Sequence, residues 1–313
     1  MKKQPLFIIA GPTAAGKSDL AVELARKIGG EVISGDSMQV YRGMDIGTAK
    51  ITPEEMKGIP HHLISCVEPW EEWNVARFTE EATEEISRIA SRGSVPIVCG
   101  GTGFYLHALA YGAEFEPNDT DAPYRKELEE RSRTEEGRRE LYEELIRQDP
   151  VSAEKIHPNN LKRIIRALEY SRQTGGRISE HNEKLRAKES PYDLRYYVLT
   201  MEREQLYKRI DKRVDRMISL GLVEEVRRLL QLGCRKDMVS MQGLGYKEII
   251  AYLEGETDLE EAVRIIKRDT RHFAKRQLTW FRREEAVWLI RKPGEGVKEV
   301  LQNIPCISRG DQV

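Results

Sequence analysis

The stretch Gly11-Pro12-Thr13-Ala14-Ala15-Gly16-Lys17-Ser18 constrains this chain more than any other. It follows the apolar run Leu6-Phe7-Ile8-Ile9-Ala10 and precedes Asp19-Leu20-Ala21-Val22-Glu23-Leu24-Ala25, which has helical spacing. A G-x-x-x-x-G-K-[ST] match carries meaning only between a strand and a helix, and here both flanks are present. Gly11 and Gly16 let the backbone turn tightly, so that its amides close over a phosphate at the positive end of a helix. Lys17 brings a point charge to the phosphate oxygens, and Ser18 offers a hydroxyl to a magnesium ion. A chance match would lack the flanking elements. Read alone, such a loop points to a nucleotide, ATP first.

The elements that follow extend the same pattern. Glu31-Val32-Ile33-Ser34 reads as a second strand, ending at Gly35-Asp36-Ser37-Met38-Gln39-Val40-Tyr41, and a third strand is expected at His62-Leu63-Ile64-Ser65-Cys66. Helical spacing runs from Ala76 to Ala90 and is stopped by Arg92-Gly93. Val95-Pro96-Ile97-Val98-Cys99 is a short apolar strand ending in Gly100-Gly101-Thr102-Gly103. Strands alternating with helices imply a parallel sheet covered on both faces. From about Glu114 to Ser190 only helical, highly charged sequence appears. It is entered through Pro117-Asn118-Asp119, has apolar stripes at Leu128, Leu141, Leu145 and Ile146, and restarts at Pro150 and Pro158. Tyr196-Tyr197-Val198-Leu199 resumes the strands, the tail is mostly helical, and Val287-Trp288-Leu289-Ile290 reads as a last edge strand. The expected fold is α/β: a P-loop core of parallel sheet flanked by helices over 1–113 and 191–313, with an all-helical insertion domain over 114–190.

A chain of 313 residues has room for about two domains and a substantial core. With 39% hydrophobic and 33% charged residues it reads as globular and rich in solvated helix. The formal net charge is −1, but the charges are segregated: Glu68 to Glu85 is net −6, Lys155 to Glu189 net +5, and Arg264 to Arg283 net +7. Such basic segments are either solvated helix faces or a polyanion footprint. Cys66, Cys99, Cys234 and Cys306 lie far apart without C-x-x-C spacing, which argues against a disulfide framework and a zinc site. The apolar run after Met1-Lys2-Lys3 is too short for a signal peptide, and no stretch approaches the roughly 20 apolar residues of a membrane span. A cytoplasmic protein is expected, with no membrane and no obligate protein partner evident.

In open α/β sheets ligands sit beyond the carboxyl ends of the strands. The phosphate loop, Asp36 to Tyr41 and Gly100 to Gly103 therefore face one crevice. Asp36 either caps the next turn, takes a proton from a nucleophile, or orders the magnesium shell. No acid ends the strand Val95 to Cys99, where many P-loop NTPases keep the Asp that helps hold magnesium. Neither does an Asn-Lys-x-Asp guanine motif follow, so the GTPase and ATPase readings weaken. His61 and His62 are strand neighbours whose rings point to opposite faces, poor chelating geometry that reads as structural. Ala274 to Arg282 interleaves bases with aromatics, which suits RNA contacts or a core-facing Trp280 and Phe281 equally well.

Seven segments in order, GPTAAGKS, DSMQVYRGMDIGTAK, HHL, PIVCGGTGFY, IHPNNLKRIIRALE, MQGLGYKE and TRHFAKRQLTWFR, resemble the bacterial tRNA dimethylallyltransferases, also called isopentenyl-diphosphate:tRNA transferases. The likeness spans nearly the whole chain. It departs at Ala15 (usually Ser), Gly35, Ser65 (often Asp after HHL) and Asn160 (commonly Asp), none of which removes a group the chemistry requires. The resemblance implies transfer of a dimethylallyl group from dimethylallyl diphosphate to N6 of adenosine 37 beside a tRNA anticodon, with magnesium as cofactor. It makes Gly11 through Ser18 the diphosphate site, with Lys17, Thr13 and a Ser18-held magnesium, and Asp36 the general base. Arg213 becomes the arginine on the leaving group, with Arg209 its runner-up. Contacts to the tRNA anticodon stem-loop map to Asp36, Ser37, Met38, Gln39, Thr102, Arg125, Lys162, Arg163, Arg166, Gln242 and Gln277. The rival readings are a P-loop kinase using ATP on a small molecule or nucleoside, and a non-catalytic RNA-binding P-loop protein.

Overall fold

A computed structural model describes residues 3–113, 122–186, 189–302 and 304; the Pro117-Asn118-Asp119 entry to the insertion and Cys306 lie outside them. In chain order, β1 (Pro5–Ala10), α1 (Lys17–Ile28), β2 (Gly30–Ser34), α2 (Pro53–Met56), β3 (His61–His62), α3 (Val75–Ser91), β4 (Val95–Gly100) and α4 (Gly103–Ala110) come first. Next are the helices α5 (Ala122–Arg131), α6 (Glu135–Gln148), α7 (Pro150–Lys155), α8 (Leu161–Thr174) and α9 (Ile178–Arg186). The rest is β5 (Asp193–Met201), α10 (Arg203–Ser219), α11 (Leu222–Gln231), a 3-10 turn at Ser240–Gln242, α12 (Tyr246–Leu253), α13 (Leu259–Phe281), β6 (Val287–Arg291) and α14 (Val297–Gln302).

The chain divides into two compact units, one made of Met1–Gly112 with Ser190–Val313 and the other of Ala113–Glu189. In the first, the strands form one sheet in the order β3-β2-β4-β1-β5-β6, and the pairings are parallel throughout. Because side chains alternate across a strand, β1 feeds two cores. Leu6, Ile8 and Ala10 join Phe78, Leu106, Val214 and Phe281 on one face. Phe7 and Ile9 join Leu20, Leu24 and Val300 on the other. Both faces are thus covered, which is why β1 reads as an unbroken apolar run. No helix among the described residues is long and apolar enough to cross a membrane.

The third strand is shorter than expected. Only His61 and His62 pair with β2, because Leu63 (φ 56°) and Ser65 (φ 50°) take left-handed backbone that a strand cannot hold. His62 lies between two carboxylates, its Nε2 2.8 Å from Glu31 and its Nδ1 3.1 Å from Glu85, a structural role as expected.

In the second unit Leu128, Leu141, Leu145, Ile164 and Leu168 form the core. Ile146, expected in that stripe, is 45% exposed. Helix α8 starts at Leu161 behind Asn160 rather than at Pro158. Buried Asp149 caps α7 through Ser152 N (3.0 Å) and also accepts from Ser179 N (2.9 Å) and Oγ (2.6 Å). Burial would push its carboxyl up, but the bonds from Ser179 and Ser152 win and hold it below the usual range.

A second buried carboxylate braces the first unit. Glu225 on α11 accepts from the amides of Asp45 (2.9 Å), Ile46 (2.8 Å) and Gly47 (3.0 Å), and from the Tyr246 hydroxyl (2.7 Å). It thereby fixes the segment that follows the Asp36 loop. Removing it strands donors in the interior, so Glu225→Ala is expected to lower the unfolding free energy by about 3 kcal/mol, and Tyr246→Phe by about 1 kcal/mol. Urea denaturation midpoints at constant slope check both values.

Candidate active site

The loop after β1 is shaped by its neighbours. Gly11 has φ +146°, and a Cβ there would lie 2.2 Å from the Leu199 carbonyl oxygen of β5. Ala14 (φ 63°) and Gly16 (φ 99°) complete the turn, and Gly16 leads into α1. Lys17 folds back to donate from Nζ to the Pro12 carbonyl at 2.9 Å. Ser18 is exposed on the first turn of α1. The amide of Thr13 donates to Gln277 Oε1 (2.9 Å), and Gln277 Nε2 donates to the Gly101 carbonyl (2.9 Å).

Gln277 is buried and spent at both ends of its amide, so it ties the phosphate loop to the β4–α4 turn instead of offering an RNA contact. That is a correction to the expectation from sequence. Helical spacing in α13 left its facing open. The same packing settles the aromatics: Phe281 is fully buried, and Trp280 fills the space where a Gly103 Cβ would sit, 2.1 Å from its ring.

The β2 and β4 turns meet through two glycines, a Gly100 Cβ falling 2.2 Å from the Gly35 carbonyl oxygen. Their crossing puts Thr102 Oγ1 3.2 Å from the Ser37 amide and 3.3 Å from the Ser37 hydroxyl. Asp36 is half-buried and accepts from the Met38 amide at 2.9 Å, the local turn that this residue type favours. That bond uses one carboxylate oxygen. Met38 packs against Gly243 of the MQGLGYKE segment. Gln39 Nε2 reaches the carbonyls of Thr48 and Ala49 at 3.5 Å.

Arg213, on α10, donates to the Thr48 carbonyl at 3.3 Å, while its buried Nε has no partner among the described residues. Burial holds its guanidinium below the ordinary value, opposed by Asp36 and assisted by Arg209. The Lys17 ammonium is pushed down to about 8, by burial above all. Arg213 works in the same direction and Asp36 against it. The Cys99 thiol, pushed up to about 12 by burial, is neutral at ordinary pH and gives Lys17 no counter-charge. Lys17, Arg213 and Asp36 therefore share one electrostatic neighbourhood: two desolvated cations and one carboxylate. Arg209 turns its Nε to the Ala14 carbonyl at 2.8 Å.

The other expected contacts are placed elsewhere. Gln242 is exposed on the 3-10 turn and donates to the Lys236 carbonyl. In the second unit Arg125 is engaged with Glu129 (3.0 Å) and buried Glu169 (3.3 Å). Lys162 and Arg163 are exposed and Arg166 half-buried on the first two turns of α8, and none of them pairs with a carboxylate among the described residues. No acid occupies that first turn, so two of the cations, Lys162 and Arg163, stand where the helix dipole disfavours them. The residues that sequence reading missed are Glu225, one more acid on a charged helix, and Tyr246, whose only signal was its place in the MQGLGYKE segment.

For magnesium the donors present are of the right kind. Ser18 is a hard oxygen ligand beside Lys17, and no cluster of three acidic, His or Cys ligands occurs among the described residues. Such a site fits magnesium held mostly by substrate phosphates and water.

Comparison with known proteins gives the family. Residues 39–284 match the family model described as IPP transferase, and residues 4–65 one described as isopentenyl transferase. The tRNA dimethylallyltransferase of Lachnoclostridium phytofermentans is 59% identical, over 92% of this chain and 92% of its own. That of Carboxydothermus hydrogenoformans is 50% identical, over 96% of each. Among solved structures, the tRNA isopentenylpyrophosphate transferase of Bacillus halodurans superposes with a TM-score of 0.72 at 46% identity, covering 96% of this chain and 94% of its own. A eukaryotic dimethylallyltransferase acting on tRNA gives a TM-score of 0.80 at 29% identity, over 98% and 82%. The chain belongs to the tRNA dimethylallyltransferase (IPP transferase) family.

Proposed function

We propose that this transferase moves the dimethylallyl group of dimethylallyl diphosphate to N6 of adenosine 37 beside a tRNA anticodon, in the cytoplasm. The observation that carries the reading is the meeting of Lys17 and Arg213, both desolvated, with the half-buried carboxylate of Asp36. Lys17 and Arg213 suit a leaving diphosphate, and Asp36 suits a proton acceptor. As the allyl carbon–oxygen bond breaks, its electron pair goes to the diphosphate. The carbon–nitrogen bond forms from the N6 lone pair, and the N6 proton passes to the Asp36 carboxylate.

The amine's lone pair is delocalised into the adenine ring, so proton removal during attack is worth about 10²–10⁴-fold. Charge growing on the diphosphate is met by Lys17, by Arg213 Nε and by the amides of Gly16 to Ser18 at the start of α1, generally the larger contribution. Thr13 lines the same pocket. Ser18 would hold the magnesium, which when bound supplies further positive charge to the phosphate oxygens. The target base must leave its stack to reach Asp36, and the paired hydroxyls of Ser37 and Thr102 suit recognition of a flipped adenine edge. Met38 and Gln39, next along the Asp36 loop, and exposed Gln242 suit further RNA contacts, and Lys162, Arg163 and Arg166 suit the RNA backbone. Arg125, committed to Glu169, supports the same unit.

The direct test is prenyl transfer from dimethylallyl diphosphate to total unmodified tRNA, with the product nucleoside mapped. Transfer from ATP to an alcohol with no mass gain on tRNA would overturn the reading. Asp36→Asn is expected to lower kcat by about 10²–10⁴-fold, with tRNA affinity changed far less. Equal losses in binding and rate would remove its role as a base.

Lys17 sets the alkaline limit. Its ammonium is charged below about 8 and lost as pH rises through that value, so kcat/KM for dimethylallyl diphosphate should fall above about pH 8. Bound diphosphate holds the proton on, so kcat at saturation should stay level to higher pH. Rate profiles at limiting and saturating donor check this. Neutralising Lys162, Arg163 and Arg166 together should reduce the slope of log affinity for tRNA against log salt by about 2, as measured by filter binding.

A further inference from the structure

At the carboxyl edge of the sheet, the ends of β5 and β6 and the start of α10 border an open cleft of about 290 Å³ that the proposed reaction does not use. Gln205, Arg209, Arg291, Lys292 and Glu295 line it. We infer that Arg209 and Arg291 form a second oxyanion subsite at the Gly16 corner of the phosphate loop, built for inorganic diphosphate.

Both guanidiniums are anchored by the same device. Arg209 spends Nε on the Ala14 carbonyl (2.8 Å), and Arg291 spends Nε on the Glu295 carbonyl (2.7 Å). Each keeps its outer nitrogens for something else. Arg291 Nη1 lies 3.2 Å, and Arg209 Nη2 3.9 Å, from the point where a Gly16 Cβ would stand. Two forks thus converge on a spot kept empty by a glycine. Fork geometry of this kind matches the oxygens of a phosphate.

The charge balance around that point is positive. Asp19 Oδ2 is also 3.9 Å from it, and the Glu295 carboxylate accepts from the Lys292 amide at 2.7 Å. Neither Arg209 nor Arg291 forms an ion pair with a carboxylate among the described residues. Their closeness is unfavourable without an anion: after burial, Arg291 is what most depresses Arg209. Lys292 adds a third cation to the wall. Arg291 lies beyond residues 39–284, the stretch matched as IPP transferase.

The choice of diphosphate as the anion rests on the proposed reaction, which releases it at this same loop. The subsite itself rests on the two arginines. A released diphosphate would pass from the loop amides to Arg209 and Arg291 without first meeting bulk water, so its departure need not await a full change of hydration.

Calorimetric titration of the full chain with inorganic pyrophosphate tests the assignment. Two sites are expected in the unaltered protein, one in Arg291→Gln and one in Lys17→Ala, with affinity at the lost site down by about tenfold or more. Arg291→Lys, which keeps the charge without the fork, should retain a weakened second site. A one-site isotherm in the unaltered protein that survives Arg291→Gln overturns the subsite and leaves the reaction untouched. One site that survives Lys17→Ala but disappears in Arg291→Gln upholds the subsite and counts against the loop as the diphosphate site. If Arg291→Gln weakens tRNA binding while the pyrophosphate stoichiometry holds, the arginines serve RNA phosphates and the proposal falls.

Discussion

Backbone crowding at the carboxyl edge of the sheet governs the rest of this structure. A Cβ at Gly11 would sit 2.2 Å from the Leu199 carbonyl oxygen, and one at Gly100 would sit 2.2 Å from that of Gly35. Real side chains cannot occupy those positions, so the loop after β1 lies backbone to backbone on β5, and the turns after β2 and β4 lie backbone to backbone on each other. Because β4 lies between β2 and β1 in the sheet, the three turns open into one crevice. Gln277 then locks two of them together from behind, and Thr102 joins the third through Ser37. The site is thus held by hydrogen bonds between loops and not by the loops' own side-chain cores.

Burial turns that framework into an electrostatic device. Cations removed from water bind an anion more strongly than solvated ones, because less water is displaced and the local dielectric is lower. Lys17 illustrates the cost: its ammonium is pushed down to about 8 and rests on the Pro12 carbonyl. Arg213 keeps a buried Nε without a partner. Under the proposed reaction, the leaving diphosphate is the anion that these two donors would meet.

The sheet and the phosphate loop were legible because both rest on local signals, an apolar run for a doubly covered strand and two glycines around a lysine. Asp36 was legible from its place after β2. What escaped depends on pairs remote in sequence. Gln277 lies 264 residues from its Thr13 partner, and helical periodicity cannot tell a buried glutamine from an exposed one. Glu225 reads as one more acid on a charged helix, yet it gathers three amides 178 to 180 positions away. The third strand was overextended because β-branched and apolar composition at Leu63 and Ile64 hides two left-handed residues. Ile146 shows the converse, an apolar residue in helical register that the core leaves outside.

The neutral end of β4 gives the centre its particular balance. Cys99 pairs in register with Ile9 and Ser34, at the position where many P-loop enzymes carry an acid. Its thiol is uncharged at ordinary pH, so Asp36 is the carboxylate that offsets Lys17 and Arg213. Under the proposed reaction that carboxylate takes up the N6 proton just as charge builds on the leaving diphosphate. Neutralising Asp36 removes the carboxylate that competes for both cations, so more of their field falls on the diphosphate when it is most negative. An acid at the end of β4 would stay charged through the step and keep part of that field. Base and leaving-group site are thereby coupled through space, and proton transfer at one strengthens the grip of the other.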